Sequence, residues 1–280
     1  MNRLLKTAAL SLATCILSSQ AITASAEHHT ETVTDDLLAA IGGNHRDPGN
    51  YARDEYRDPL ETLSFFGIEP DMTVVELWPG GGWYTEILAP FLREKGTLVA
   101  ASYGMDTSPE YRPRLHKALV EKVAGNPAVY GSVKVIEWDP PRRMSLGEPG
   151  SADMVLTFRN THSFINADIA DAVFAEAYKV LKPGGVLGVV QHRADPGVAV
   201  ADSSPSGYVP EQAVIAIARA AGFVAEARSE INANPKDNHD HPKGVWTLPP
   251  SYRLGETDKA RYSAIGESDR MTLRFRKPRS

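Results

Sequence analysis

Three consecutive glycines stand between an acidic residue and an aromatic-led apolar run in Val74-Val75-Glu76-Leu77-Trp78-Pro79-Gly80-Gly81-Gly82-Trp83. Glycine carries no Cβ, so such a loop can turn sharply and let its backbone come against a ligand. Glu76, just before the loop, is placed to reach polar groups of that ligand, and a strand–loop–helix context points to a nucleotide-type molecule. Ligands of open α/β sheets bind beyond the carboxyl ends of the strands. The next candidates are therefore the residues that follow other apolar runs: Arg159, Asn160 and His162, then His192 and Arg193, then Tyr103. An imidazole with its ordinary pKa of about 6.5 can act as a general base, which makes His162 a candidate; the other reading is a histidine that bonds nearby backbone and shapes the pocket. Arg159 can grip an anionic acceptor or a carboxylate through two parallel N–H groups, or it can pair with Asp153 or Glu137. Trp78, Trp83 and Tyr84 can stack on a ligand, with core packing the stronger reading for Trp83. The pattern Asn238-His239-Asp240-His241, with His28 and His29 elsewhere, raises zinc or copper, but no third ligand has suitable spacing and no metal ligand is assigned.

The elements that must carry these residues follow from periodicity. Thr73–Leu77, Thr97–Ala101, Val133–Trp138, Met154–Phe158, Val186–Gln191, Phe223–Ile231 and Met271–Phe275 are short apolar runs that predict seven strands. Between them, Trp83–Leu92, Ser108–Gly125, Asp168–Leu181 and Glu211–Ala221 have helical spacing, and Pro59 opens a further helix to Phe66. Strands that alternate with helices predict a doubly wound α/β sheet covered on both faces, with five parallel strands and a reversed final pair. The stretch 232–269 is rich in Pro, Asn, Asp and Gly and too long for a plain connection, so it reads as an insertion or lid. Lys243 to Pro250 could fold over the site or plug a sheet edge. Glu267, Ser268, Asp269 and Arg270 read as a buried polar network.

Four places in this chain resemble the class I S-adenosylmethionine-dependent methyltransferases, over roughly residues 73–275. They are the glycine loop, Glu137-Trp138-Asp139 after the third strand, Ser151-Ala152-Asp153-Met154-Val155-Leu156 at the fourth, and Val180-Leu181-Lys182-Pro183-Gly184-Gly185 before the fifth. The chain is further similar to a bacterial group of exported methyltransferases, through Trp78 to Tyr84, Thr157-Phe158-Arg159-Asn160 and Gly266 to Met271. The resemblance implies a Rossmann-like methyltransferase fold with a seven-stranded, mostly parallel sheet and an antiparallel last strand. It also implies S-adenosylmethionine as cofactor, with Glu76, Trp78, Gly80, Gly81, Gly82, Ser102 and Asp139 around it and Asp139 at the adenine. His162, Arg159 and Asn160 become the catalytic candidates, and the expected activity is methyl transfer to a small molecule. Two positions depart from the family pattern. Trp78 replaces the glycine that usually opens the loop, and Ser102 stands where many members have an acid for the ribose. The alternative expectation is a non-catalytic protein that keeps the fold and binds a small ligand or a metal.

The chain has 280 residues, 42% hydrophobic and 23% charged, which excludes a disordered or fibrous protein. Its net charge of -5 gives no electrostatic footprint for nucleic acid. Arg3 and Lys6, the apolar run Ala8–Leu17 and the small residues Ala24-Ser25-Ala26 form the pattern of a cleavable signal peptide. The expected protein is thus periplasmic or secreted, cut after Ala26, without stable membrane insertion afterwards. Residues 27–50 read as a polar linker with a short helix from Asp35 to Ile41, and 51–280 as the methyltransferase-like domain. Cys15 is the sole cysteine and falls in the expected leader, so disulfides and thiolate chemistry are not expected of the exported protein.

Overall fold

The computed structural model describes residues 29–279; the signal-peptide reading of residues 1–26, with Cys15 and His28, lies outside the described residues. In chain order, helix α1 (29–41) leads to a one-turn helix α2 (Pro48–Tyr51) and to α3 (Pro59–Phe66). The sheet then alternates: β1 (Thr73–Leu77), α4 (Thr85–Leu92), β2 (Thr97–Ser102), α5 (Tyr111–Gly125), α6 (Pro127–Tyr130), β3 (Lys134–Glu137), β4 (Ala152–Phe158). Helices α7 (Thr161–Asn166) and α8 (Ala170–Val180) precede β5 (Leu181–His192). The chain closes with α9 (Val200–Ser203), α10 (Glu211–Ala220), β6 (Val224–Ser229), α11 (Lys259–Ile265) and β7 (Arg270–Arg276).

One seven-stranded sheet runs β3-β2-β1-β4-β5-β7-β6. The ladders from β3 to β5 are parallel, and β7 is antiparallel to both β5 and β6. Only the last strand is therefore reversed. β6 points with the first five, so the final pair expected from the sequence divides: β7 fits the gap between β5 and β6 as the hairpin-like return of the chain. The α/β Rossmann-like methyltransferase architecture is otherwise as expected.

Alternation along each strand sends side chains into two cores. On one face Val75, Leu77, Val155, Leu187, Val189 and Leu273 pack with α7, α8 and α10 residues such as Phe164, Phe174 and Val214. On the other, Val74, Met154, Leu156 and Val190 pack with Leu37 of α1, Leu63 and Phe66 of α3 and Ile87 and Leu88 of α4. Helix α1 begins earlier than the segment Asp35–Ile41 expected, because its polar first turns are exposed and carry no apolar period. Helices α7 and α11 were not anticipated; each is short and its polar residues mask the spacing.

The stretch 232–269 is tied down by a buried carboxylate. Asp237 accepts from the Tyr208 hydroxyl at 2.8 and 3.0 Å, from His241 Nε2 at 2.8 Å, and from the backbone amides of His239 and Asp269 at 3.0 and 2.8 Å. His239 lies between Asp195 and Asp269, at 2.8 and 3.4 Å. The histidines of this segment thus hold carboxylates, and among the described residues no group of three or more His, Cys, Asp or Glu is arranged to hold a metal ion. Among the described residues no helix is long and apolar enough to cross a membrane.

Close approach of α3 to the sheet leaves no room at Gly188 of β5, where a Cβ would lie 2.7 Å from Leu156 Cδ2 and 2.9 Å from the Phe66 ring. Gly188→Ala should overpack this contact and lower stability by about 1–3 kcal/mol, measured by denaturant unfolding; an unchanged midpoint would show that α3 is free to shift.

Candidate functional site

The carboxyl ends of β1, β4 and β5 open into a cavity of about 450 Å³, within the size range of small-molecule sites. Its floor is the loop after β1. The backbone there is left-handed at Trp78 (φ 44), Gly80 (φ 61) and Gly82 (φ 81). A Cβ built on Gly80 or Gly81 meets nothing within 4 Å, so both face open space and present bare main chain to the cavity. This is the cradle that a cofactor would fill. Gly82 supports it from behind, with a Cβ position 3.3 Å from Leu119 Cδ1.

Trp78 occupies the glycine-type backbone that the family's loop opens with, in a region costly for a bulky residue. Its indole is turned down into the core, 4.7 Å from Phe164, 5.0 Å from Tyr103 and 5.8 Å from Trp138 by ring centroids, and its N–H donates to the Trp138 carbonyl at 3.2 Å. The indole therefore lines one wall and leaves the glycine backbone uncovered. Arg159, at the end of β4, has the same left-handed backbone (φ 62). Asn160 beside it joins the two strand ends: its side-chain amide donates to the carbonyls of Leu77 at 2.9 Å and Trp78 at 3.3 Å. Asn160 is thus a positioning residue for the loop.

Glu76 lies under the cradle, buried, and accepts from the Thr85 hydroxyl at 2.6 Å. Burial pushes its carboxyl up to about 7, against the opposing pull of the Thr85 hydrogen bond and Arg159. Arg159 lines the cavity and forms neither expected ion pair. Asp153 holds Lys182 at 2.7 Å and Glu137 lies 3.5 Å from Arg143. Burial lowers the Arg159 guanidinium to about 10, so it remains a cation at neutral pH.

His162 lines the cavity, and burial lowers its imidazole to about 4. The Gln191 amide is oriented by accepting from the Thr161 N–H at 3.1 Å and donating to the Gly207 carbonyl at 2.8 Å. Its nitrogen therefore donates to His162 Nδ1 at 3.3 Å, which leaves the proton of the neutral ring on Nε2. In this arrangement His162 offers a hydrogen-bond donor and not a free basic nitrogen. His192 is held 2.5 Å from Ser268 Oγ, and both line the cavity. Burial keeps His192 neutral, well below 6.5.

Ser102 and Asp139 do not line the cavity. Ser102 is buried beneath the sheet edge, where its carbonyl accepts from the Trp138 amide at 2.6 Å. The Asp139 carboxylate is taken up by Arg142 and by the Thr107 hydroxyl at 3.0 Å.

Some lining residues lie outside the sequence candidates. Asn50, the last residue of the expected linker, and Arg53 and Arg57, at the start of the expected domain, come from α2 and the segment after it. The two arginines are brought in by Glu267, whose carboxylate takes Arg53 at 2.7 Å, Arg57 at 3.2 Å and Arg270 at 3.2 Å. The Arg-Asp-Pro repeats were the only signal available, and they carry no spatial information. Val245 and Trp246, within the stretch Lys243 to Pro250 read from the sequence as a lid or plug, also line the cavity, as does Arg253.

The family model described as "Methyltransferase domain" matches residues 75–189. None of the curated proteins matches the chain. Among solved structures, a SAM-dependent methyltransferase from Aquifex aeolicus is 18% identical with TM-score 0.54, covering 82% of this chain and 94% of its own. A geranyl diphosphate methyltransferase in complex with SAM is 14% identical with TM-score 0.55, covering 86% and 94%. The 4+2 cyclase SpnF is 17% identical with TM-score 0.54, covering 89% and 93%. At such identities the likeness is one of fold.

Because Glu76 prefers its proton in the folded state, the protein should lose stability as pH rises from about 4.5, the ordinary carboxyl value, through about 7. Glu76→Gln should flatten that slope, most visibly as a higher midpoint at pH 8 than wild type in denaturant titrations; parallel pH profiles would show that Glu76 is not the group responsible. The domain match over residues 75–189, on a fold shared with SAM-dependent enzymes, supports a methyltransferase with S-adenosylmethionine as its cofactor.

Proposed function

We propose that this chain transfers a methyl group from S-adenosylmethionine to a small molecule, in an exported protein. The observation that carries the reading is the uncovered main chain of Gly80 and Gly81 at the floor of a capped cavity, beyond the carboxyl ends of the central parallel strands. Export rests on the leader pattern of residues 1–26, and small size of the acceptor on the caps that enclose the cavity.

When bound, the cofactor supplies a methyl group already activated on a sulfonium, so the chain is asked mainly for position and electrostatics. Glu76 and the loop amides of Gly80 and Gly81 would hold it. Asn160 fixes the loop that bears them. The segment around α2 and the Trp246 cap exclude water from the acceptor. His192, neutral and hydrogen-bonded to Ser268, lines the acceptor side as a polar group, and His162 Nε2 can donate to an acceptor oxygen.

Isothermal titration of the purified protein with S-adenosylmethionine and its demethylated product tests the proposal. Binding tighter than about 1 mM, roughly -4 kcal/mol, is expected, with Glu76→Ala weakening it at least tenfold. Absence of binding to either compound would remove the methyltransferase reading, and an unchanged affinity in the variant would remove Glu76 from the cofactor site. Export is checked by mass spectrometry of the periplasmic or secreted fraction, where a chain beginning at Glu27 is expected.

A further inference from the structure

The cavity is cationic in a protein that is acidic overall. Its lining includes Arg53, Arg57, Arg159 and Arg253, and only two carboxylates, Glu76 and Glu267, whereas the whole chain carries a net charge of -5. Glu267 is already shared between Arg53, Arg57 and Arg270. Glu76 is engaged by Thr85.

Two of the guanidiniums have N–H groups with nothing to bond. The Nη1 atoms of Arg57 and of Arg159 are both buried without a hydrogen-bond partner. Arg57 is 1% exposed and fixed by its Nε on Glu267 at 3.2 Å and by the Trp83 ring 4.7 Å from its central carbon. The Arg159 side chain forms no hydrogen bond or ion pair among the described residues, and its backbone is held in place by the Val190 carbonyl at 2.7 Å. A buried N–H of a charged group left unmade is expensive. Both Nη1 atoms are sealed from water and so do not front the cavity. Arg159, however, is only partly buried, lines the cavity and has its guanidinium unpartnered. This makes it a complement for an anion, since guanidinium forks match carboxylate and phosphate oxygens. Arg253 adds a cation at the mouth, exposed and stacked 4.4 Å over Trp246.

We propose that this cavity binds a small oxyanion, a carboxylate or a phosphate, at Arg159, and that this anion belongs to the methyl acceptor. The second half rests on the methyltransferase reading; the first half does not. The same chemistry is present in the carboxylate of the cofactor's own methionine moiety, and competition separates the two sources.

Calorimetric titration with inorganic phosphate and with malonate, each alone and again with the demethylated cofactor saturating, makes the test. Both anions should bind with millimolar or tighter Kd, and the affinity should persist when the cofactor product is present. Arg159→Gln should weaken anion binding at least tenfold with cofactor-product affinity changed less than twofold, and Arg159→Lys should recover part of the loss. Arg253→Gln, on an exposed side chain, should weaken it several-fold and serves if the Arg159 variants do not fold. Absence of binding by wild type overturns the proposal. Anion binding abolished by the cofactor product also overturns it, because Arg159 would then serve the cofactor's carboxylate. Anion binding in a protein that ignores the cofactor product would support the oxyanion site and remove the methyltransferase reading.

Discussion

Two strand ends must leave the sheet through left-handed backbone for the site to exist. β1 does so at Trp78 and β4 at Arg159, and neither is glycine, the residue that takes that conformation at no steric cost. Strain of this kind persists only where the surroundings over-determine it. Here the Asn160 amide bridges the last carbonyls of β1, the Trp78 amide continues the ladder to Ala101 at 2.8 Å, and the indole is locked among Phe164, Tyr103 and Trp138. The glycines that follow are then free of structural duty toward the cavity and can stay bare.

Closure of the cavity depends on a second, electrostatic knot. Glu267 precedes β7 and gathers arginines from the segment around α2 and from β7 itself. An isolated carboxylate buried at 4% exposure would be costly; three guanidiniums compensate it and at the same time bring the two ends of the domain together over the sheet. Buried Glu86 of α4 fastens the same N-terminal segment through Asn50 at 2.9 Å and Arg46 at 3.8 Å, and is also paired with Lys122 of α5. The polar stretch before α3 is held by ionic contacts instead of by apolar burial, which is why hydrophobic periodicity is silent about it.

Much of the scaffold was legible because parallel strands buried on both faces are short, continuous apolar runs. The span Thr73–Leu77 is the same in sequence and structure, and the remaining strands differ by a few residues at their ends. The direction of β6 was not legible: Val224 to Ser229 alternates apolar and polar residues whichever way it runs, and only pairing with β7 decides it. Of the sequence candidates, Gly80, Gly81, Glu76, Arg159, Asn160 and His162 line the cavity, and each lies at or just beyond a strand end. Ser102 and Asp139 were chosen by the same logic and are not among the residues lining the cavity. Arg53, Arg57 and Arg253 arrive from segments with no regular period, and Glu267 lies 214 residues from Arg53 along the chain, beyond any argument from spacing.

The placement of the indoles has a practical consequence. Of the four tryptophans in the chain, Trp78, Trp83 and Trp246 line the cavity and Trp138 lies against Trp78. Nearly all of the ultraviolet emission of this protein therefore originates at the walls of one chamber, and whatever enters it alters the local polarity seen by those rings. The molecule carries its own optical gauge of occupancy, requiring no label.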